Sequence, residues 1–200
     1  MGKQVAPAVF QGQADPGVNL SPRLFLPQAI HPSASFGRNV RLGHGVVIDA
    51  GVIVGDDVFI GHNTVIRSGV RLWHGVVLGH LVVIEADTEI GAETTIQSQC
   101  HITRGARIGG RVFVGPGAVM INEWRIASHG RRIAQHLVGP VVGHGARIGA
   151  GALIMPGVEI GENAMIGARS VVTRNVPPRE KWFGSPARCH GAVPDEEIVI

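Results

Sequence analysis

The apolar positions of this chain recur every six residues. Counting from Ile30, the series runs Phe36, Leu42, Ile48, Val54, Ile60, Ile66, Leu72, Leu78, Ile84, Ile90, Ile96, Ile102, Ile108, Val114 and Met120 without a slip. It breaks there and resumes in a new phase at Val142, Ile148, Ile154, Ile160, Ile166 and Val172. Four residues after each large aliphatic comes a small or β-branched one, such as Val46, Thr64, Cys100, Ala106, Ala146 or Ser170. With 44% apolar composition, such a run arises by chance with probability of about 10⁻⁸ before allowance for phase.

Period six excludes an amphipathic helix, whose apolar face returns every 3.6 residues. It also differs from the strict alternation of an ordinary strand. A triangular coil fits: three short strands per turn, six residues per side, eighteen per turn. The large aliphatics fill the prism and the small residues sit where a corner is tight. Glycine often follows the aliphatic, as at Gly43, Gly55, Gly61, Gly79, Gly91 and Gly149, where a Cβ would be crowded. The expected fold is all-β, a parallel β-helix of about seven coils with one long protruding loop. Residues 1–29 read as an irregular N-terminal segment with Pro7, Pro16, Pro22 and Pro27. Residues 30–176 read as the β-helix, with the loop at 121–141, and 177–200 as a C-terminal tail with a short strand at 198–200.

Composition narrows the function. The 200 residues carry a net charge of +3, with 4% aromatics and no Tyr. The basic residues are scattered rather than gathered into a stripe with interleaved aromatics, which argues against nucleic acid and for small phosphorylated ligands. Cys100 and Cys189 form no disulfide or zinc spacing, and Cys100 holds an inward corner position as a core residue. No run reaches membrane-span length and the N-terminus lacks a signal layout, so a cytoplasmic protein without membrane contact is expected.

A prism packed with aliphatics has no internal pocket, so chemistry is expected at the loop and the adjoining faces. The loop carries Asn122, Glu123, Trp124, Arg125, His129, Arg131, Arg132 and His136. His44, His62 and His80, eighteen apart, should stack on one outer face and invite a metal reading. The expectation here is a solvated or interfacial histidine ladder and no metal site. Trp73-His74 reads as a subunit contact.

The repeats, the loop, and the ending Ile166-Gly167-Ala168-Arg169-Ser170-Val171-Val172-Thr173-Arg174 through Phe183-Gly184-Ser185-Pro186-Ala187-Arg188 resemble the hexapeptide-repeat acyltransferases over about residues 30–190. The resemblance implies a left-handed coil, a homotrimer, and acetyl-CoA as co-substrate lying along the prism between two subunits. It places backbone groups of Ala150 and Ala168 on the pantetheine arm, and Thr173, Arg174 and Arg188 near the nucleotide end, where guanidinium groups suit phosphates. The stretch Gly115 to Glu123, with Ile96-Gln97 before it, is similar to that of N-acetyltransferases of nucleotide-linked 3-amino sugars. That similarity implies Asn122 and Glu123 as catalytic residues, with Gln97 and Arg125 toward the substrate. Glu123 stands where Asp is common, and Trp124-Arg125-Ile126 replaces an aromatic-Asn-Pro-Arg-like continuation. His129 is the competing general base. Two alternatives stay open: O-acetylation of a sugar or of serine, and a non-catalytic or metal-binding trimer related to the γ-class carbonic anhydrases, whose trio of His ligands does not occur here.

Overall fold

The computed structural model describes residues 19–20, 29–125 and 137–200. Its strands are almost all two residues long and stack into three parallel sheets that form the sides of a prism. Face 1 begins with Asn19–Leu20 and runs through Arg41–Leu42, Phe59–Ile60 and onward to Met165–Ile166. Face 2 carries eight strands from Ala29–Ile30 to Val171–Val172, and face 3 carries seven from Ser35–Phe36 to Glu159–Ile160. Register is uniform: Val77 pairs with Thr95 and Leu78 with Ile96, eighteen residues on. The parallel β-helix expected from the six-residue period is the observed architecture. It has about eight turns rather than about seven, because Asn19–Leu20 and Glu180–Gly184 also join face 1.

The two apolar positions of each repeat are both inward. Ile60, Ile66, Leu78, Ile84, Ile90, Ile96 and Ile102 are fully buried, and so are Val40, Val46, Val58, Val76 and Val82 at the corners. Where a corner takes a polar residue, its hydroxyl is bonded to the next coil. Thr94 Oγ1 donates to the carbonyl of Gly109 (2.8 Å) and accepts the N–H of Val112 (3.1 Å). Cys100 lies in the same kind of corner, its Sγ 3.2 Å from the carbonyl oxygen of Gly115. Burial pushes its thiol pKa up.

Glycine acts at the close approach, as the sequence suggests. A Cβ on Gly79 would lie 2.5 Å from the backbone nitrogen of Ser98 in the next coil. The left-handed residue of each corner falls two positions later, which the period does not reveal. It is Gly at some corners and Asn, Asp or another side chain elsewhere, as at Asn39, Asp57 and Asn63.

The tail is more structured than the sequence implies. Glu180–Gly184 and Ala187–Ala192 form an antiparallel hairpin that closes the end of face 1, with Trp182 paired beside Ile166 and buried. The short strand expected at 198–200 is absent. Val199 instead exchanges two hydrogen bonds with the Asn163 side chain (2.9 and 3.2 Å), which leaves no edge for ladder pairing. Arg147 reaches Glu197 at 2.5 Å. Among the described residues no helix is long and apolar enough to cross a membrane.

Replacing Ile84 by Ala should cost about 2–5 kcal/mol, because coils above and below prevent the cavity from collapsing. Replacing Gly79 by Ala should cost about 1–3 kcal/mol by overpacking. Chemical denaturation of both variants checks the pair; a Gly79→Ala protein as stable as the parent would contradict the stacking argument.

Candidate active site

Each coil turns from face 1 to face 2 at a corner whose first residue aligns with its counterparts in the other turns. This column reads His44, His62, His80, Ser98, Pro116, Ala150, Ala168. In its first part each backbone N–H is capped by the side chain one coil on. The N–H of His44 donates to His62 Nδ1 (2.7 Å), that of His62 to His80 Nδ1 (2.9 Å), and that of His80 to Ser98 Oγ (3.0 Å). The imidazoles stack with centroids 5.1 and 5.0 Å apart. A ring that accepts at Nδ1 carries its proton on Nε2. Parallel rings at this spacing cannot converge on one ion, which needs nitrogens about 2.0–2.1 Å from a common centre. The ladder expected from the sequence is therefore an internal capping device of the corner.

At Ala150 and Ala168 the same column has no side-chain acceptor to offer. Both residues are exposed, and no partner for either N–H occurs among the described residues. The carbonyl of Ala150 is occupied by the N–H of Arg169 (2.8 Å), so the N–H is the backbone group of Ala150 without a partner among the described residues. Gly149 keeps the approach bare, since a Cβ there would lie 2.4 Å from the Ala168 nitrogen. Thr173, Arg174 and Arg188 are exposed toward the same end of the prism. Arg188 Nη1 is braced on the carbonyl of Ala187 (2.9 Å).

Asn122 stands at the corner between faces 2 and 3, where the chain leaves the prism. Its Nδ2 donates to the carbonyl of Arg104 (3.3 Å), and its own carbonyl accepts the N–H of Val138 (3.3 Å). Asn122 thus ties the coil above to the returning leg and forms the neck of the loop. Pro140 is buried as the next corner residue, and Val141–Val142 is already a strand, so the prism resumes inside the segment read as loop. Glu123, Trp124 and Arg125 are exposed beyond the neck. His129, with Arg131, Arg132 and His136, lies outside the described residues.

Gln97 has a distinct signature. The position after the inward aliphatic on face 1 is Gly43, Gly61, Gly79, Gly115, Gly149 and Gly167, with Gln97 the one exception in that run. One chain does not bring all these groups together. Gln97 is on face 1, Ala150 and Ala168 are on the corner between faces 1 and 2, and Asn122 and Arg174 are on the corner between faces 2 and 3. Face 2 joins the two corners and presents an outward stripe of Val47, Val65, Val83, His101, Val119, Leu153 and Val171, all half-buried and all apolar except His101. That stripe was not read from the sequence, although it too repeats every eighteen residues, one position before the inward series.

The Bacterial transferase hexapeptide (six repeats) family matches residues 33–68 and 139–174, and the Hexapeptide repeat of succinyl-transferase matches 51–86. This chain is a hexapeptide-repeat protein. Among curated relatives it is 51% identical over 53 residues to dTDP-3-amino-3,6-dideoxy-alpha-D-galactopyranose 3-N-acetyltransferase of Aneurinibacillus thermoaerophilus, over 26% of this chain and 28% of that one. It is 39% identical over 51 residues to galactoside O-acetyltransferase of Lactococcus lactis, over 26% of this chain and 25% of that one. The matched stretches thus span less than a third of these relatives. The polySia specific acetyltransferase NeuO shares the fold, with a TM-score of 0.61 at 15% identity over 93% of this chain and 89% of that one.

His62→Ala should remove an acceptor and a stacking partner and lower stability by about 1 kcal/mol. His62→Asn, which keeps a side-chain acceptor, should lose less. Thermal melts of both variants check this; equal losses would show that the hydrogen bond is not what matters.

Proposed function

We propose that this hexapeptide-repeat protein is an acetyl-CoA-dependent acyltransferase whose acceptor is the amino group of a nucleotide-linked amino sugar. The observation that carries the proposal is the pair of uncapped N–H groups at Ala150 and Ala168, on a corner whose first three turns are capped by His62, His80 and Ser98. A pantetheine arm offers amide carbonyls to such donors, and Thr173, Arg174 and Arg188 lie at the end where its phosphates would run. The stretch from Gly115 to Glu123, and the short match to a 3-amino-sugar N-acetyltransferase, support an amine acceptor.

The site would form between copies. Three prisms packed with the apolar stripe of face 2 inward set the first corner of one copy beside the second corner of its neighbour. Gln97, Ala150 and Ala168 then face the loop, Asn122 and Glu123 across a cleft. Burying an unpartnered apolar stripe is the driving force.

In the reaction the neutral amine nitrogen attacks the thioester carbonyl carbon, and the carbonyl becomes an oxyanion as the C–N bond forms. Collapse of this intermediate breaks the C–S bond and releases CoA thiolate. Glu123 or His129 takes the proton lost by the nitrogen, and the thiolate picks up a proton in turn. Asn122 is tethered through Nδ2 to Arg104, which leaves Oδ1 to orient the amine. O-acylation keeps a place because of the match to a galactoside O-acetyltransferase; a hydroxyl needs a base more than a neutral amine does.

Thiol release from acetyl-CoA should be seen with nucleotide-linked amino sugars and not with the matching hydroxy sugars. Asn122→Ala should lower turnover on the order of 10²–10³ with CoA affinity kept, whereas Arg188→Ala should weaken CoA binding about tenfold. A purified protein that neither binds acetyl-CoA nor releases thiol would refute the assignment. An abolished rate in His129→Ala with a hydroxyl acceptor would transfer it to O-acylation.

A further inference from the structure

The glycine column of face 3 is broken at one turn. The residue after the inward aliphatic is Gly55, Gly91, Gly109, Gly143 and Gly161, but Trp73 stands between the first two. Stacking forces glycine at the others: a Cβ on Gly91 would lie 2.5 Å from the backbone of Gly109, and one on Gly143 2.6 Å from the nitrogen of Glu162. The largest side chain in the alphabet therefore occupies a place where almost no side chain is admitted. It adds little to the core, being 45% exposed. Its indole Nε1 donates a 2.7 Å hydrogen bond to Glu89 Oε1. Core packing does not account for it.

Alongside the indole is a depression of about 340 Å³ with Gly91 and Gly109 in its floor and Glu89, Arg107 and Val141 in its walls. That volume is at the lower end of about 300–1,000 Å³ found for small-molecule sites. Arg107 is the one cation of the lining. Its Nη1 is fixed on the carbonyls of Asp87 (2.6 Å) and Ala106 (3.2 Å), and its Nε and Nη2 have no partner among the described residues. Val141 is three strands along the face from Trp73, roughly 14 Å at the usual inter-strand step. It follows directly on the loop neck closed by Asn122 and Val138.

We propose that this trough holds the nucleoside diphosphate portion of the acceptor, with the base stacked on Trp73 and the diphosphate at Arg107. The order along the face fits one extended molecule: amine at the loop neck, anionic linker in the middle, flat ring at the indole. A neutral glycan would use the indole but would have no need of a free guanidinium edge. The inference rests on the proposed acyl transfer for the position of the amine, while the trough itself is defined independently of CoA.

The test is direct binding of uridine diphosphate and thymidine diphosphate to the 200-residue protein by calorimetry, with CoA binding measured in parallel. Trp73→Ala should weaken diphosphate binding by about fivefold or more, the value of one base–aromatic stack, and Trp73→Phe should recover most of the loss. Arg107→Gln should weaken binding and flatten its salt dependence. CoA affinity should be unchanged in all three variants. A wild-type protein that binds CoA but neither diphosphate would overturn the inference alone. So would a Trp73→Ala variant that binds the diphosphates within about twofold of wild type, or one that instead falls apart into monomers on sedimentation. Diphosphate binding through Trp73 without any CoA binding would uphold the trough and refute acyl transfer.

Discussion

The structure depends on how closely one coil can lie on the next. Each strand of the prism before the closing hairpin is two residues long, too short to be stable as a separate hairpin or sheet, and holds only because the turns repeat in register. The uniform step makes every position a column, so a constraint felt once is felt in every turn. Inward aliphatics fill the prism, glycine follows wherever a Cβ would strike the next backbone, and the left-handed corner residue recurs at a fixed offset. A departure from any column is correspondingly informative, because the scaffold resists it at that turn.

The column between faces 1 and 2 bears directly on the proposed binding edge. Corner N–H groups cannot join the strand ladders and need another acceptor. His62, His80 and Ser98 supply one at the first turns, whereas Ala168 has none to supply. The ladder and the proposed ligand-binding edge are two answers to the same hydrogen-bonding problem. One is closed internally, and the other leaves its N–H groups without a partner among the described residues. At His62 and His80 the same bond opposes ion binding through Nε2, because the proton displaced from Nε2 would fall on the Nδ1 already accepting a backbone N–H.

Most of the fold was legible because its physics is one-dimensional. The burial of Ile84, Val46 or Cys100 follows from a count in sixes, and so does the break after Met120. The left-handed corners were not legible, since Leu81, Arg111 and Arg169 occupy them as well as glycine, and such side chains carry no turn signal. The tail was misread at its end because Val199 bonds to a side chain, Asn163, rather than to a strand. For the site, periodicity places Ala150 above Ala168 but cannot say that the Ala150 carbonyl is already taken. It assigns Asn122 to the loop but not to its neck. Gln97 and Asn122 occupy different sides of the same prism, so one chain does not join them, and a count in sixes carries no information on contacts between copies.

Two departures from the glycine columns, Gln97 on face 1 and Trp73 on face 3, bear on how a regular prism becomes selective. A bare glycine track admits any slender ligand along it and discriminates poorly. One large or polar side chain set in that track stops the ligand at a defined height and offers it a specific contact. Because each coil is rigidly stacked, such a stop is held in place by the scaffold rather than by a mobile loop. Packing three copies about the apolar stripe of face 2 would leave faces 1 and 3 of neighbours opposed beside each loop. Gln97 and Trp73 would then mark the two walls of one cleft, so that selectivity for the acceptor comes from the prism and the loop contributes the chemistry.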